Sequence, residues 1–287
     1  MNEIRRPVFA GSWYPEAAGE CRDAIQSFLE PGQGADLRSR PWFGGIVPHA
    51  GWYYSGSIAC NVIACLKEEK EPIDVVVLFG MHLHPASASY LMPRGIWRTP
   101  LGDLPVAAEL ADHLTGRFEF QKETARRFSQ DNTIELQLPF VKALLDPDAV
   151  LGIGVPPAPA AIDIGRAAAQ WALQNNKRIK VIGSTDLTHY GGNYGFKPHG
   201  SGPGAREWVR RENDRRIIEA MLTLAPGKII DEGIEHQNAC CAGAAAAAAA
   251  AAVQLGARQG RELTYATSYE KSPGESFVGY VGVLFGP

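Results

Sequence analysis

The sequence predicts a three-layer α/β/α sandwich around a mixed, mostly parallel sheet. Runs rich in Val, Ile, Leu and aromatics alternate with segments of helical period for most of the 287 residues. The last two strand runs are joined through Lys271-Ser272-Pro273-Gly274, a turn signal that makes the sheet mixed. No stretch reads as a linker and no internal repeat is present, so residues 1–287 are expected to form a single domain.

In chain order, helical period predicts a first helix over 17–30. A strand over 43–47 follows, and it should stop at Pro48, which has no N–H to give to a sheet ladder. A helix over 56–70 leads to a strand over 74–80, and helix 105–116 to a strand over 149–155. Helix 160–176 precedes a strand over 179–184. The period next marks 204–224, where Arg210, Arg211, Arg215 and Arg216 interleave with Glu212 and Asp214 as a solvated face. Helix 243–257 contains nine consecutive alanines, Ala244 to Ala252, which gives it high propensity and little bulk, so it can pack very close to a sheet. Strands over 262–269 and 277–285 close the chain.

Composition excludes several classes of function. The chain is 45% hydrophobic and 21% charged, as expected of an ordinary globular protein. A net charge of −3 gives no electrostatic reason to expect nucleic acid or an anionic membrane as partner. Met1 to Pro7 lacks the apolar core of a secretion signal, and the apolar run Cys240–Val253 is too short for a membrane span. Five cysteines without a paired framework point to a reduced, cytoplasmic protein.

Three distant segments each read as a strand running into a loop that carries chemistry: Ile46 to Gly51, Val75 to His84, and Val181 to Tyr190. In α/β sheets ligands bind beyond the carboxyl ends of the strands, so one site is expected from His49, His82 or His84, Asp186 and His189. His82 and His84 alternate along an extended segment and should point opposite ways; composition does not choose between them. Asp186 and His189 face the same way if the chain turns helically there, which suits a base oriented by a carboxylate. Ser184-Thr185 invites a hydrolase reading, but no G-x-S-x-G elbow accompanies it. Cys240 precedes the alanine helix, whose free N–H groups would favour its thiolate; His236, four residues earlier, could serve it as a base. Asp131 and Glu135 read as the cap and first turn of a helix, with Glu135 pointing into the site as the alternative. The glycine-rich stretch Gly191–Gly204 is a loop that can border the site. Zinc-finger spacing, a P-loop and a complete dinucleotide-binding fingerprint are all missing.

Taken together, Ala10–Tyr14, Pro48–Gly56, Arg98–Gly102, Ile134–Pro139, Ser184–Gly191 and Ala239-Cys240 resemble the MEMO family, whose prokaryotic members are called AmmeMemoRadiSam system protein B. The resemblance implies a fold similar to the LigB-like class III extradiol dioxygenases, which use non-haem Fe(II). It also implies a metal, iron or copper, held by two histidines and a cysteine. Those ligands would be His49, Cys240 and, by gap-free register from Gly80, His84. His82 is the alternative, because the family's Gly-Pro-Ser/Asn-His pattern reads Gly80-Met81-His82-Leu83-His84 here. Asn132 and Cys241 also depart from the family, standing where relatives often have His and Gly. A Cys in place of a carboxylate softens the site, which favours Fe, Cu(I) or Zn. On this reading His189, held by Asp186, is the acid–base residue, and Trp13 and Tyr54 line the pocket. The resemblance further implies AMMECR1-like and radical-SAM partner proteins in a joint modification pathway. Two functions stand side by side: a dioxygenase-like iron enzyme acting on a small or peptide-borne aromatic or thiol substrate, and a non-catalytic protein that binds metal or peptide.

Overall fold

The computed structural model describes residues 3–29, 32, 34, 37, 38, 40–67 and 71–287. The expected ends of the first two helices, residue 30 and residues 68–70, lie outside them. The strands are β1 (Ile4–Arg5), β2 (Gly44–Val47), β3 (Val75–Gly80), β4 (Ser89–Leu91), β5 (Ile96–Thr99), β6 (Gly102–Pro105), β7 (Phe120–Lys122), β8 (Ala149–Gly154), β9 (Ile179–Ser184), β10 (His189–Tyr190), β11 (Gln259–Thr267) and β12 (Phe277–Gly286). The helices are α1 (Ala18–Leu29), α2 (Ser57–Cys65), α3 (Ala108–Thr115), α4 (Asn132–Glu135), α5 (Leu138–Leu144), α6 (Pro159–Gln174), α7 (Pro203–Trp208), α8 (Asp214–Leu222), α9 (Pro226–His236) and α10 (Ala242–Leu255).

A nine-stranded sheet runs β10-β12-β2-β9-β3-β8-β4-β7, with β11 also paired to β12. Its centre, β2-β9-β3-β8, is parallel; β12 joins β2 antiparallel, and β4 joins β8 antiparallel. The central strands are buried at every position but one, as strands covered on both faces must be. β1, β5 and β6 form a separate small sheet.

Helices cover both faces, which gives the expected three layers. A Cβ added at Gly45 of β2 would meet Val62 of α2, whereas one at Gly183 of β9 would meet Ala244 and Ala248 of α10. Gly183 pairs with Ile46, the neighbour of Gly45, so α2 and α10 lie on opposite faces. α10 is apolar all round and buried from Ala242 to Ala252, enclosed by the sheet, α6 and α9. Its alanines permit a very close approach: a Cβ at Gly165 of α6 would lie 2.2 Å from the Ala247 carbonyl oxygen.

The stretch expected as one helix over 204–224 is α7 and α8 joined by a π-helical turn at Val209–Asn213. A second π-turn, Trp52–Gly56, leads into α2 just beyond His49. α9 and the short strands β1, β4 to β7 and β10 had no sequence signal assigned to them.

Candidate metal centre

The parallel strands β2, β3 and β9 deliver their following loops to one edge of the sheet, and the site is built there. β2 ends at Val47, before Pro48, so His49 begins the loop with its side chain buried. Its backbone is held on both sides: the N–H donates to Asp186 Oδ1 at 2.7 Å, and the carbonyl accepts from Asn132 Nδ2 at 2.8 Å. Ser184, the last residue of β9, gives its hydroxyl proton to the Thr133 carbonyl at 2.7 Å. Ser184 Oγ can therefore only accept from His49 Nδ1, 3.0 Å away, which leaves Nε2 as the His49 nitrogen facing the site.

β3 ends at Gly80, and Met81 then takes φ +72°, so the chain does not continue as an extended strand. Thr133 Oγ1 accepts from the Met81 N–H at 2.7 Å. Gly80 is needed for that approach, since a Cβ there would lie 2.3 Å from Thr133 Oγ1. Asp131 Oδ2 accepts from both the backbone N–H of His82 (3.1 Å) and its Nδ1 (3.0 Å). The carboxylate can only accept, so Nδ1 carries a proton and Nε2 is the His82 nitrogen turned toward the site, in the manner of histidines that bind metals. Its Nε2 stands 3.2 Å from His49 Nε2.

The register-based assignment of His84 as second ligand therefore does not match this geometry. The turn at Met81 breaks the extended count, and His84 accepts from the Ala86 N–H outside the cluster. The alternative, His82, is the histidine that meets His49.

Cys240 completes the group. Its Sγ is 3.2 Å from His49 Nε2 and accepts from the Asp186 N–H at 3.3 Å. Burial works against a thiolate, but the Cys241 S–H and the His49 and His82 rings outweigh it and hold Cys240 well below an ordinary thiol. Burial likewise opposes charge on His82, yet its bonds to Asp131 and Cys240 push it up to about 10. The ligand atoms of His49, His82, Cys240 and Cys241 all lie within 4.8 Å of one another.

Without a metal, a proton on His82, bonded between Asp131 and the Cys240 thiolate, holds this cluster together; a metal ion binding the same atoms would take its place. Bond lengths of a tetrahedral ion place such nitrogens roughly 3.3 Å apart and nitrogen and sulfur roughly 3.5 Å apart. The donor set fits one metal ion.

His49 and His82 open onto a cavity of about 560 Å³ that is also lined by Trp13, Tyr54, Asp186 and His189. A larger hollow of about 770 Å³ beside Trp13 and Tyr53 contains none of the donor atoms. His189 begins β10, so the helical turn expected to pair it with Asp186 does not form. Asp186 instead holds the His49 backbone, and His189 Nδ1 bonds the Leu187 carbonyl at 3.1 Å. The glycine-rich loop does reach the cavity, through Tyr194, whose ring meets His189 edge-on at 5.0 Å.

Other expected roles change. His236 Nε2 stands 3.8 Å from Glu232, and the ring that meets Cys240 is that of His49, which takes the place expected of His236. Asp131 does cap α4, accepting from the Thr133 N–H, and uses its second oxygen for His82. Glu135 is buried and accepts from the N–H groups of Val8 and Phe9 and the Tyr14 hydroxyl, tying down the segment that carries Trp13. Sequence reasoning missed Ser184 and Asp131 as the partners that orient the two histidines. The one available signal was a cap residue, which has two oxygens and needs only one for the cap.

A family model described as Memo-like protein matches residues 5–284. A MEMO1 family protein of Methanosarcina barkeri is 32% identical over 288 residues, spanning 98% of this chain and 99% of its own length. One from Methanosarcina acetivorans is 31% identical over 287 residues, with the same coverage of 98% and 99%. Among solved structures, an uncharacterized protein from Escherichia coli K12 superposes with a TM-score of 0.50 at 14% identity. The match covers 79% of this chain and 91% of that one and is a likeness of fold.

Proposed function

The chain belongs to the Memo-like protein family, and from that premise we propose that it is a metal-dependent redox protein. His49, His82 and Cys240 hold the ion, Fe(II) first and copper or zinc as ions the same donors accept. The observation that carries this reading is the pair of Nε2 atoms, oriented by the Nδ1 bonds to Ser184 and Asp131, converging with the Cys240 sulfur. When bound, a redox-active ion with open positions supplies O₂ chemistry of the dioxygenase kind.

The chain's own residues supply the rest. The Leu187 carbonyl accepts from His189 Nδ1–H, so Nε2 of His189 is free to take a proton from a substrate in the cavity. Trp13, Tyr54 and Tyr194 give the cavity flat walls that suit an aromatic or thiol substrate, small or carried on a peptide. AMMECR1-like and radical-SAM proteins are the partners in this proposal, acting on the same substrate in a modification pathway.

The test is metal content after anaerobic purification, followed by O₂ consumption. Near-stoichiometric iron or copper, abolished by His49→Ala and by Cys240→Ala, is expected; absence of metal even after Fe(II) addition overturns the reading. Fe(II)-dependent O₂ uptake lost in His189→Ala supports an enzyme. Full metal binding with no O₂ uptake points to the non-catalytic binding protein.

A further inference from the structure

Cys241 follows Cys240 directly at the head of α10, and its side chain is buried. Its Sγ stands 3.8 Å from Cys240 Sγ and within 4.8 Å of both histidine nitrogens. Two sulfurs bound at about 2.3 Å to one tetrahedral ion are about 3.8 Å apart. The His49–His82 and His49–Cys240 separations, both 3.2 Å, lie within about 0.4 Å of the corresponding edges of such an ion. Both cysteines are also anchored by the backbone. Cys240 N–H donates to the Asp186 carbonyl at 3.2 Å, and Cys241 N–H donates to Thr185 Oγ1 at 3.0 Å. These bonds fix the two sulfurs beside the end of β9, and neither cysteine is among the residues that line the cavity onto which His49 and His82 open.

We propose that Cys241 is a fourth ligand, so that this chain holds its ion in a closed tetrahedron of two nitrogens and two sulfurs. The proposal rests on the metal-binding part of the reading above and goes beyond it, since four protein ligands leave no open position and make the ion a structural one. On binding, the Cys241 S–H bond breaks, its electron pair enters the metal–sulfur bond, and the proton leaves to solvent; no electron changes hands. Two thiolates make the site softer than the three-donor set, favouring Zn²⁺ and other soft tetrahedral ions. A molecule entering the cavity then meets the ion only from the histidine side.

The rival reading keeps Cys241 as a protonated thiol that only donates a hydrogen bond to Cys240. Co²⁺ is the probe that separates the two, titrated anaerobically into wild type, Cys241→Ser and Cys241→Gly. The sulfur-to-cobalt charge-transfer band, measured per bound ion, is expected to be about twice as intense in wild type as in either variant, by ligand count. Zn²⁺ competition should show a loss in both variants larger than the roughly 10–100-fold cost of removing an outer partner. Near-UV circular dichroism of the metal-free variants checks that they fold. Equal band intensity per ion in all three proteins overturns this inference alone. Failure of the wild type to take up Co²⁺ or Zn²⁺ overturns it together with the metal reading.

Discussion

Replacing Asp214 by asparagine should make the protein less sensitive to pH, by an amount the structure sets. Asp214 opens α8 immediately after the π-turn and is fully buried. It accepts from the Thr188 N–H at 3.0 Å, the Thr188 hydroxyl and the Tyr265 hydroxyl at 2.8 Å. Burial is the larger influence and pushes the carboxyl up to about 7, against those bonds. The folded protein therefore binds this proton more tightly than the unfolded chain, whose carboxylate titrates near 3.9. The resulting stability is fully present below that lower value and is lost as pH rises to about 7. Between pH 5.5 and 8.5 the loss covers roughly 1.5 units at about 1.4 kcal/mol each, so about 2 kcal/mol. Asparagine stays neutral throughout, keeps an oxygen for Thr188, and leaves the Tyr265 hydroxyl free to turn and accept from its amide. Urea unfolding of metal-free wild type and Asp214→Asn at both pH values should show the variant gaining about 2 kcal/mol relative to wild type at the higher pH. Chelation matters here, since a bound ion would add its own stabilisation. A difference that stays constant to within about 0.5 kcal/mol would sink the argument and show that the three donors outweigh burial.

Asp131→Asn keeps a good helix cap but no longer fixes the His82 ring as a carboxylate does. Metal affinity should fall about 10–100-fold with little change in melting temperature, and an unchanged affinity in chelator competition would mean that packing alone orients the ring. Glu135→Ala leaves the Val8 and Phe9 N–H groups and the Tyr14 hydroxyl without their acceptor. A loss of about 3 kcal/mol in urea unfolding is expected, with faster proteolysis around Trp13; retained stability would show that solvent replaces the carboxylate freely. Gly165→Ala would raise helix propensity at an open position, yet here its Cβ would lie 2.2 Å from the Ala247 oxygen. It should lose about 1–3 kcal/mol by calorimetry, and a gain would refute the close approach of α6 to α10.

How much of this was legible in the sequence depends on how far each feature depends on local residues. β3, β8 and β9 announce themselves as apolar runs because a parallel strand covered on both faces has no polar side to show. β4 and β7 are three residues each at the far end of the sheet, too short to build a period. α9 carries Gly227 and Gly233, which dilute its helical signal, although a Cβ at Gly233 would lie 2.3 Å from Ala242 Cβ of α10. His49 and Cys240 could be located because a proline ends the strand before one and a long helix begins after the other. The choice between His82 and His84 turned on one backbone angle, the positive φ of Met81, which a run of extended residues gives no reason to expect.

That angle is set from across the sequence, and the groups that set it also orient the site. Asp131 holds the His82 backbone and ring, while Thr133 Oγ1 holds the Met81 N–H. The Thr133 carbonyl takes the Ser184 proton, and by doing so makes Ser184 an acceptor for His49. Asn132, between them, anchors the His49 carbonyl. Three consecutive residues at the start of α4 thus fix both histidines, although none of them is in the donor cluster. A change in this turn should therefore alter His49 and His82 together. Substitutions at Asp131 and Thr133 should consequently be non-additive in metal affinity, as expected for residues that share one hydrogen-bond network.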